Sequence, residues 1–171
     1  MKIQIYESLV TEPVPRDVKA PWLNPRTNKV RLYQDFVFRV IDTRRNIDDV
    51  IVVPEGYFTD WSTIPRILWK IYPPNHSEAR RGAVAHDYLY SHLYWYYSKA
   101  FADDLLKAFM LKDGANRFTA NVFRASVTVG GRGGWYYHRR SGADPHWTTR
   151  HERLHYDTGS SFTDEIIVKS K

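Results

Sequence analysis

Apolar and polar residues alternate with period two from Lys2 to Val10, from Lys29 to Ile41 and from Val50 to Tyr57. Strand side chains point to opposite faces in turn, so this alternation, rich in β-branched and aromatic residues, predicts three strands or more in the first half. Between the first two runs lie Glu12-Pro13-Val14-Pro15, Pro21 and Asn24-Pro25. Proline removes a backbone donor and fixes φ, so this stretch is expected to be a loop covering a sheet edge.

After Pro54-Glu55-Gly56 the period changes. Ser62-Thr63-Ile64-Pro65 has the cap and the early proline of a short helix that ends before Pro73-Pro74. A second helix is expected from Ser77 or Glu78 to Tyr94, and a third from Ser98 to Lys112, stopped by Asp113-Gly114; together they form a helical hairpin. A fourth begins after Asn116 and runs to Val129, where Gly130-Gly131 and Gly133-Gly134 are expected to end it and act as a hinge. Beyond Gly134 the periodicity dissolves until Glu165-Ile166-Ile167-Val168, which reads as one more strand. The expected architecture is α+β. An N-terminal antiparallel sheet packs against a C-terminal helical cluster in a core domain over residues 1–134, followed by an irregular basic, aromatic-rich extension over 135–171.

Composition narrows the function classes. A chain of 171 residues suffices for one hydrophobic core. The absence of cysteine excludes disulfides, thiolate metal sites and a cysteine nucleophile, so stability must come from packing. Met1 to Glu7 alternates and has no apolar run of the secretory kind, so no export is expected; no apolar stretch approaches about 18 residues, so no membrane span is expected either. A net charge of +6 favours acidic partners: nucleic acid, anionic glycans or an acidic protein surface. Aromatic residues make up 15% of the chain, which suits a binding surface because such side chains offer large contact areas with one polar end.

The central segment reads Val53-Pro54-Glu55-Gly56-Tyr57-Phe58-Thr59-Asp60-Trp61-Ser62-Thr63-Ile64-Pro65-Arg66, then Trp69, His86-Asp87-Tyr88-Leu89-Tyr90 and Ala102-Asp103. This order resembles the tailed-phage and prophage family known as domain of unknown function 1353, over roughly residues 30–134. Tyr57-Phe58 stands where that family has one aromatic before Thr-Asp, and Lys99 where an Arg precedes the Ala-Asp pair; lysine lacks the bidentate fork of arginine. The resemblance implies a phage setting and a candidate cluster, with no reaction attached. It implies synthesis in the host cytoplasm followed by residence in the virion, with other phage structural proteins as partners.

The candidate catalytic residues are Asp60, Ser62, His86, Asp87 and Asp103, with Arg66 beside them as a binding residue. Neighbours on a helix diverge by about 100°, so only one of His86 and Asp87 can face a given site squarely. With the hairpin turning near Tyr97, Asp103 and Asp87 are expected to share a pocket with His86 at its edge. His86, Asp87 and Asp103 would suit a divalent metal that activates water, and a hard cation such as Mg or Mn better than zinc, since histidines are few. A Ser62-His86-Asp103 triad is a further option, although Ser62 lacks the Gly-x-Ser-x-Gly elbow that exposes a nucleophile. The structural alternative is a buried polar network in which Asp60 caps a helix, Arg66 pairs with a carboxylate and His86 donates to Asp103.

Tyr88, Tyr90, Tyr94, Trp95, Tyr96 and Tyr97 surround a helix end on all faces, so some must be core and others must meet solvent or a partner; Tyr90 is a candidate binding residue. In the extension, Arg139, Arg140 and Arg150 are interleaved with Trp135 and Trp147, a composition suited to docking on an acidic surface or phosphates. His151 and His155 stand at the i, i+4 spacing of a helical metal clip. No nucleic-acid-binding motif is present, so net charge alone speaks for that class. The expected function is a virion-associated interaction protein of the tail, adaptor or connector type; the alternative is a small hydrolase, metal-dependent or not, acting on cell wall or another polymer.

Overall fold

The computed structural model describes residues 1–14, 30–59 and 77–141, and side chains up to 136. Within them two small antiparallel sheets are followed by a cluster of helices, the α+β arrangement that the pattern predicts. The first sheet has the order β1 (Lys2–Ile5), β4 (Phe36–Asp42), β5 (Ile47–Val53); the second has β2 (Thr11–Pro13), β3 (Val30–Leu32), β6 (Phe58–Thr59). The run expected from Lys29 to Ile41 is thus two strands in different sheets. Tyr33 to Asp35 break it, and Asp35 Oδ1 accepts from Glu55 N at 2.7 Å. Pro13, expected in a loop, ends an edge strand, where a missing donor leaves no ladder bond unmade.

Two turns position the chain. Pro54 to Tyr57 closes with Tyr57 N donating to Pro54 O at 3.1 Å and Gly56 at φ 80°, a backbone state open to glycine. Gly56 N then donates to Leu32 O and Leu32 N to Tyr57 O, which fixes this turn to β3. At the end of β4, Asp42 is wholly buried; its side chain accepts from Arg44 N at 3.2 Å and from Arg45 Nη1 at 2.5 Å, both in the turn to β5.

The helices are α1 (Arg80–Ser91), α2 (Lys99–Lys112), α3 (Arg117–Gly130) and α4 (Arg132–Ser141), with a 3₁₀ turn at Ser77–Ala79 ahead of α1. Local capping chemistry accounts for their ends. Ser98 accepts from Phe101 N at 3.2 Å and Asn116 from Thr119 N at 2.8 Å, each satisfying a free donor of a first turn. Gly114, at φ 100°, ends α2, and Ala115 N reaches back to Met110 O at 2.9 Å, the Schellman pattern. Gly130 ends α3 as the glycine run predicts, but the helical region goes on: the chain bends at Gly131 into α4, which contains residue 134. A Cβ on Gly131 would lie 2.6 Å from Val127 O and 2.7 Å from the Tyr90 hydroxyl, so glycine is what lets the bend sit against α1. Beyond the bend Trp135 enters the core, 4.9 Å and edge-on to the Tyr90 ring.

The core lies between the first sheet and the α1–α2 hairpin. Phe36, Phe38 and Phe109 form its centre, with ring centroids 4.9 to 5.9 Å apart. Tyr88, Tyr90 and Tyr97 join it, whereas Trp95 and Tyr96 are exposed, so the tyrosine-rich helix end divides between core and solvent. Among the described residues no helix is long and apolar enough to cross a membrane. The short helix expected over Ser62 to Pro73 and the strand at Glu165 to Val168 lie outside the described residues.

The hairpin depends on a close approach at Gly82, where a Cβ would lie 2.9 Å from Leu106 O and 3.1 Å from Phe109 Cβ. Alanine favours a helix over glycine by about 0.5 to 1 kcal/mol, but overpacking against a backbone oxygen costs about 1 to 3 kcal/mol. Gly82→Ala is therefore expected to lower the free energy of unfolding in urea by about 1 to 2 kcal/mol. A stabilised variant would show that the interface yields.

Candidate functional site

Three helices converge on the carboxylate of Asp103, which is 1% exposed. From α1, the Tyr90 hydroxyl donates to Oδ1 at 2.7 Å and His86 Nε2 lies 3.1 Å from the same oxygen. From one turn earlier on α2, Lys99 Nζ donates to Oδ2 at 2.7 Å and to Val127 O at 2.9 Å. From α3, Thr128 Oγ1 lies 3.0 Å from Oδ2 and 2.8 Å from Arg124 O, so its single hydrogen is shared between two acceptors. An ionised carboxylate only accepts, so His86 must carry a hydrogen on Nε2.

The other side of His86 differs. Its Nδ1 is buried without a hydrogen-bond partner, and Asp87 Oδ1 lies 3.6 Å away, close enough for ionic attraction and too far for a hydrogen bond. Asp87 is partly exposed, and its Oδ2 accepts from Thr59 Oγ1 at 3.0 Å, which ties α1 to the end of β6. The two carboxylates therefore do not share a pocket with histidine at its edge, as the hairpin geometry alone suggested. His86 stands between them, Asp103 inside and Asp87 towards solvent.

Electrostatics follows from this placement. Burial alone would push the Asp103 carboxyl up, but hydrogen bonds from His86, Lys99 and Tyr90 outweigh it and hold the group well below its ordinary 3.8. Burial likewise opposes a charge on His86, yet the two carboxylates prevail and raise it above its ordinary 6.5. Burial and the neighbouring Asp103 push the Tyr90 hydroxyl far up, so it stays a donor throughout the usual pH range. With His86 charged, Asp87 and Asp103 are balanced by His86 and Lys99.

Of the residues the sequence singled out, His86, Asp87, Asp103 and Tyr90 come together. Tyr90, expected at a binding surface, is buried with its hydroxyl on Asp103. Asp60, Ser62, Arg66, Trp147 and Arg150 lie outside the described residues, as do His151 and His155; Arg139 and Arg140 fall on α4 without described side chains. Thr128 and Thr59 were not foreseen. Lys99 stood out as a departure from arginine, and its i, i+4 spacing to Asp103 was the available signal. Among the described residues no three histidine, aspartate or glutamate side chains converge as a metal site. The donors around Asp103 also occupy the lone pairs that a cation would need.

The family described as protein of unknown function (DUF1353) matches residues 31–127, more than half of the chain. No curated protein and no solved structure matches.

The pKa directions set a pH dependence. Because the folded-state value of His86 is raised, its contribution to stability is fully present below its ordinary 6.5 and is lost as pH rises through the folded value. Urea unfolding at about pH 6.5 and about pH 9 should show a loss of stability with rising pH that is smaller in His86→Gln. Equal losses in both proteins would contradict a charged His86. Asp103 acts at the other end: its contribution is present above 3.8 and is lost as pH falls through the lowered folded value.

Proposed function

The chain belongs to the DUF1353 family, and on that footing we propose that it is a virion-associated interaction protein of a tailed phage, of the tail, adaptor or connector type, whose buried polar cluster serves the fold. The observation that carries this reading is the condition of Asp103. Its oxygens are surrounded by His86, Tyr90, Lys99 and Thr128 in a place closed to solvent, so it has nothing to offer a substrate. A buried carboxylate whose two oxygens are matched by donors from several helices specifies the packing between those helices. Large apolar side chains meanwhile stand in solvent: Tyr33 at 63%, Trp95 at 59% and Phe118 at 73% exposure. Exposed aromatic groups and a net charge of +6 suit docking on acidic protein surfaces. The phage setting is supported by the motif order from Val53 to Asp103.

One observation favours the alternative, a small hydrolase acting on cell wall or another polymer. The unpartnered Nδ1 of His86 faces the partly exposed Asp87, whose other oxygen accepts from Thr59. A general base there needs a neutral imidazole with a free lone pair on Nδ1. The flanking carboxylates favour the charged form instead.

Mass spectrometry of purified particles from a phage encoding this chain is the direct test, and the expected result is the chain at a fixed stoichiometry to known structural proteins. Its absence from particles, together with clearing of a peptidoglycan zymogram by the purified chain but not by His86→Ala, would replace this reading with the hydrolase.

A further inference from the structure

Helix α3 is apolar on two sides. Thr119, Ala120, Phe123 and Val127 face the interior. Phe118, Val122, Ala125 and Val129 recur at intervals of four, three and four residues on another face, within an arc of about 60° at 100° per residue. Phe118 is 73% and Val129 74% exposed, and Ala125 is exposed as well. A single exposed apolar side chain needs no explanation, but three in helical register along three turns, with the half-buried Val122 between them, make a seam. The 4-3-4 interval is the one by which one helix receives the side chains of another.

Charge around the seam selects the partner. From Gly114 to Ala143 the chain has no acidic residue and carries Arg117, Arg124, Arg132, Arg139 and Arg140. Arg124 is held by Asp104 at 2.5 Å, whereas Arg117 and Arg132 are exposed near the two ends of the seam. A second copy of this chain would bring arginines against arginines, and like charges at such positions oppose pairing. A membrane-surface helix presents a broad apolar face rich in Trp, Phe and Leu, and a seam of one Phe, two Val and one Ala within about 60° is too narrow for that.

We infer that the outer face of α3 is a docking seam for an amphipathic helix of another protein, with apolar residues at three- and four-residue intervals flanked by Asp or Glu. The inference rests on the reading of this chain as an interaction protein and names the chemistry of its partner. Apolar contact along Phe118, Val122, Ala125 and Val129 supplies affinity, and the arginines set orientation and exclude basic helices.

Two synthetic helical peptides test it against the full chain by fluorescence anisotropy. Both carry the same leucines at 4-3-4 intervals; one is flanked by Glu and the other by Lys. The Glu peptide is expected to bind saturably and more weakly as salt rises from about 0.05 to about 0.5 M, and the Lys peptide should not bind. Phe118→Ser with Val129→Ser alters exposed positions only and is expected to keep the melting temperature while lowering affinity for the Glu peptide about tenfold or more. No binding of the Glu peptide, equal binding of the Lys peptide, or full affinity in the double variant would overturn the proposal. Binding to phosphatidylserine vesicles that the double variant loses would assign the face to a membrane, and a dimer that the double variant dissociates would assign it to self-association; either result also overturns it. Failure of the virion reading shows itself separately, as absence of the unaltered chain from particles.

Discussion

One buried negative charge organises the helical half of this protein. A carboxylate withdrawn from water must be matched by donors, and those around Asp103 come from α1, α2 and α3. Lys99 links the site to the end of α3 through Val127 O, the same oxygen that receives Gly131 N where the chain bends. Tyr90 gives its hydroxyl to Asp103 and its ring to Trp135, so the packing of α4 depends on the position of Asp103 as well. Removing one partner from such a set leaves the others buried and unmatched, which costs more than any single bond contributes.

Asp104, the next residue, points about 100° away and does the corresponding work for the sheet. It accepts from Arg124 on α3 and from Arg45 in the β4–β5 turn, and Arg45 also holds the buried Asp42. Burial tends to raise both carboxyls, and the guanidinium groups hold both below their ordinary value. The Asp103-Asp104 pair on α2 therefore joins the helices to one another on one side and to the first sheet on the other. The polar content of this interior is explained by architecture before any chemistry is invoked.

Features decided by neighbouring residues could be read from the sequence, and features decided by remote contacts could not. The caps at Ser98, Asn116 and Gly114 follow from short-range hydrogen bonding, and so the α2 and α3 boundaries were visible. His86 and Asp103 could be paired because a helical hairpin fixes which turns lie side by side. The break at Tyr33 to Asp35 was hidden because apolar alternation runs across it, while the bond from Glu55 N to Asp35 that marks it spans twenty residues. Gly130 ends α3 as the glycine run predicts, whereas the close approach at Gly131 depends on the position of Tyr90, which the local sequence does not carry. Thr128 had no signal, since its role depends on where α3 lies against α2.

The claim on which the functional reading rests is that His86 is a charged structural link between two carboxylates. A general base or a metal ligand would need a neutral imidazole with an open Nδ1. The two states differ at both ring nitrogens, and ¹⁵N chemical shifts of selectively labelled histidine distinguish them directly. At about pH 6.5 the account predicts that most His86 rings carry hydrogen on both nitrogens, since the two carboxylates raise the group above its ordinary value. A neutral ring at that pH, protonated on Nε2 alone and with the shift of an unprotonated nitrogen on Nδ1, would contradict it.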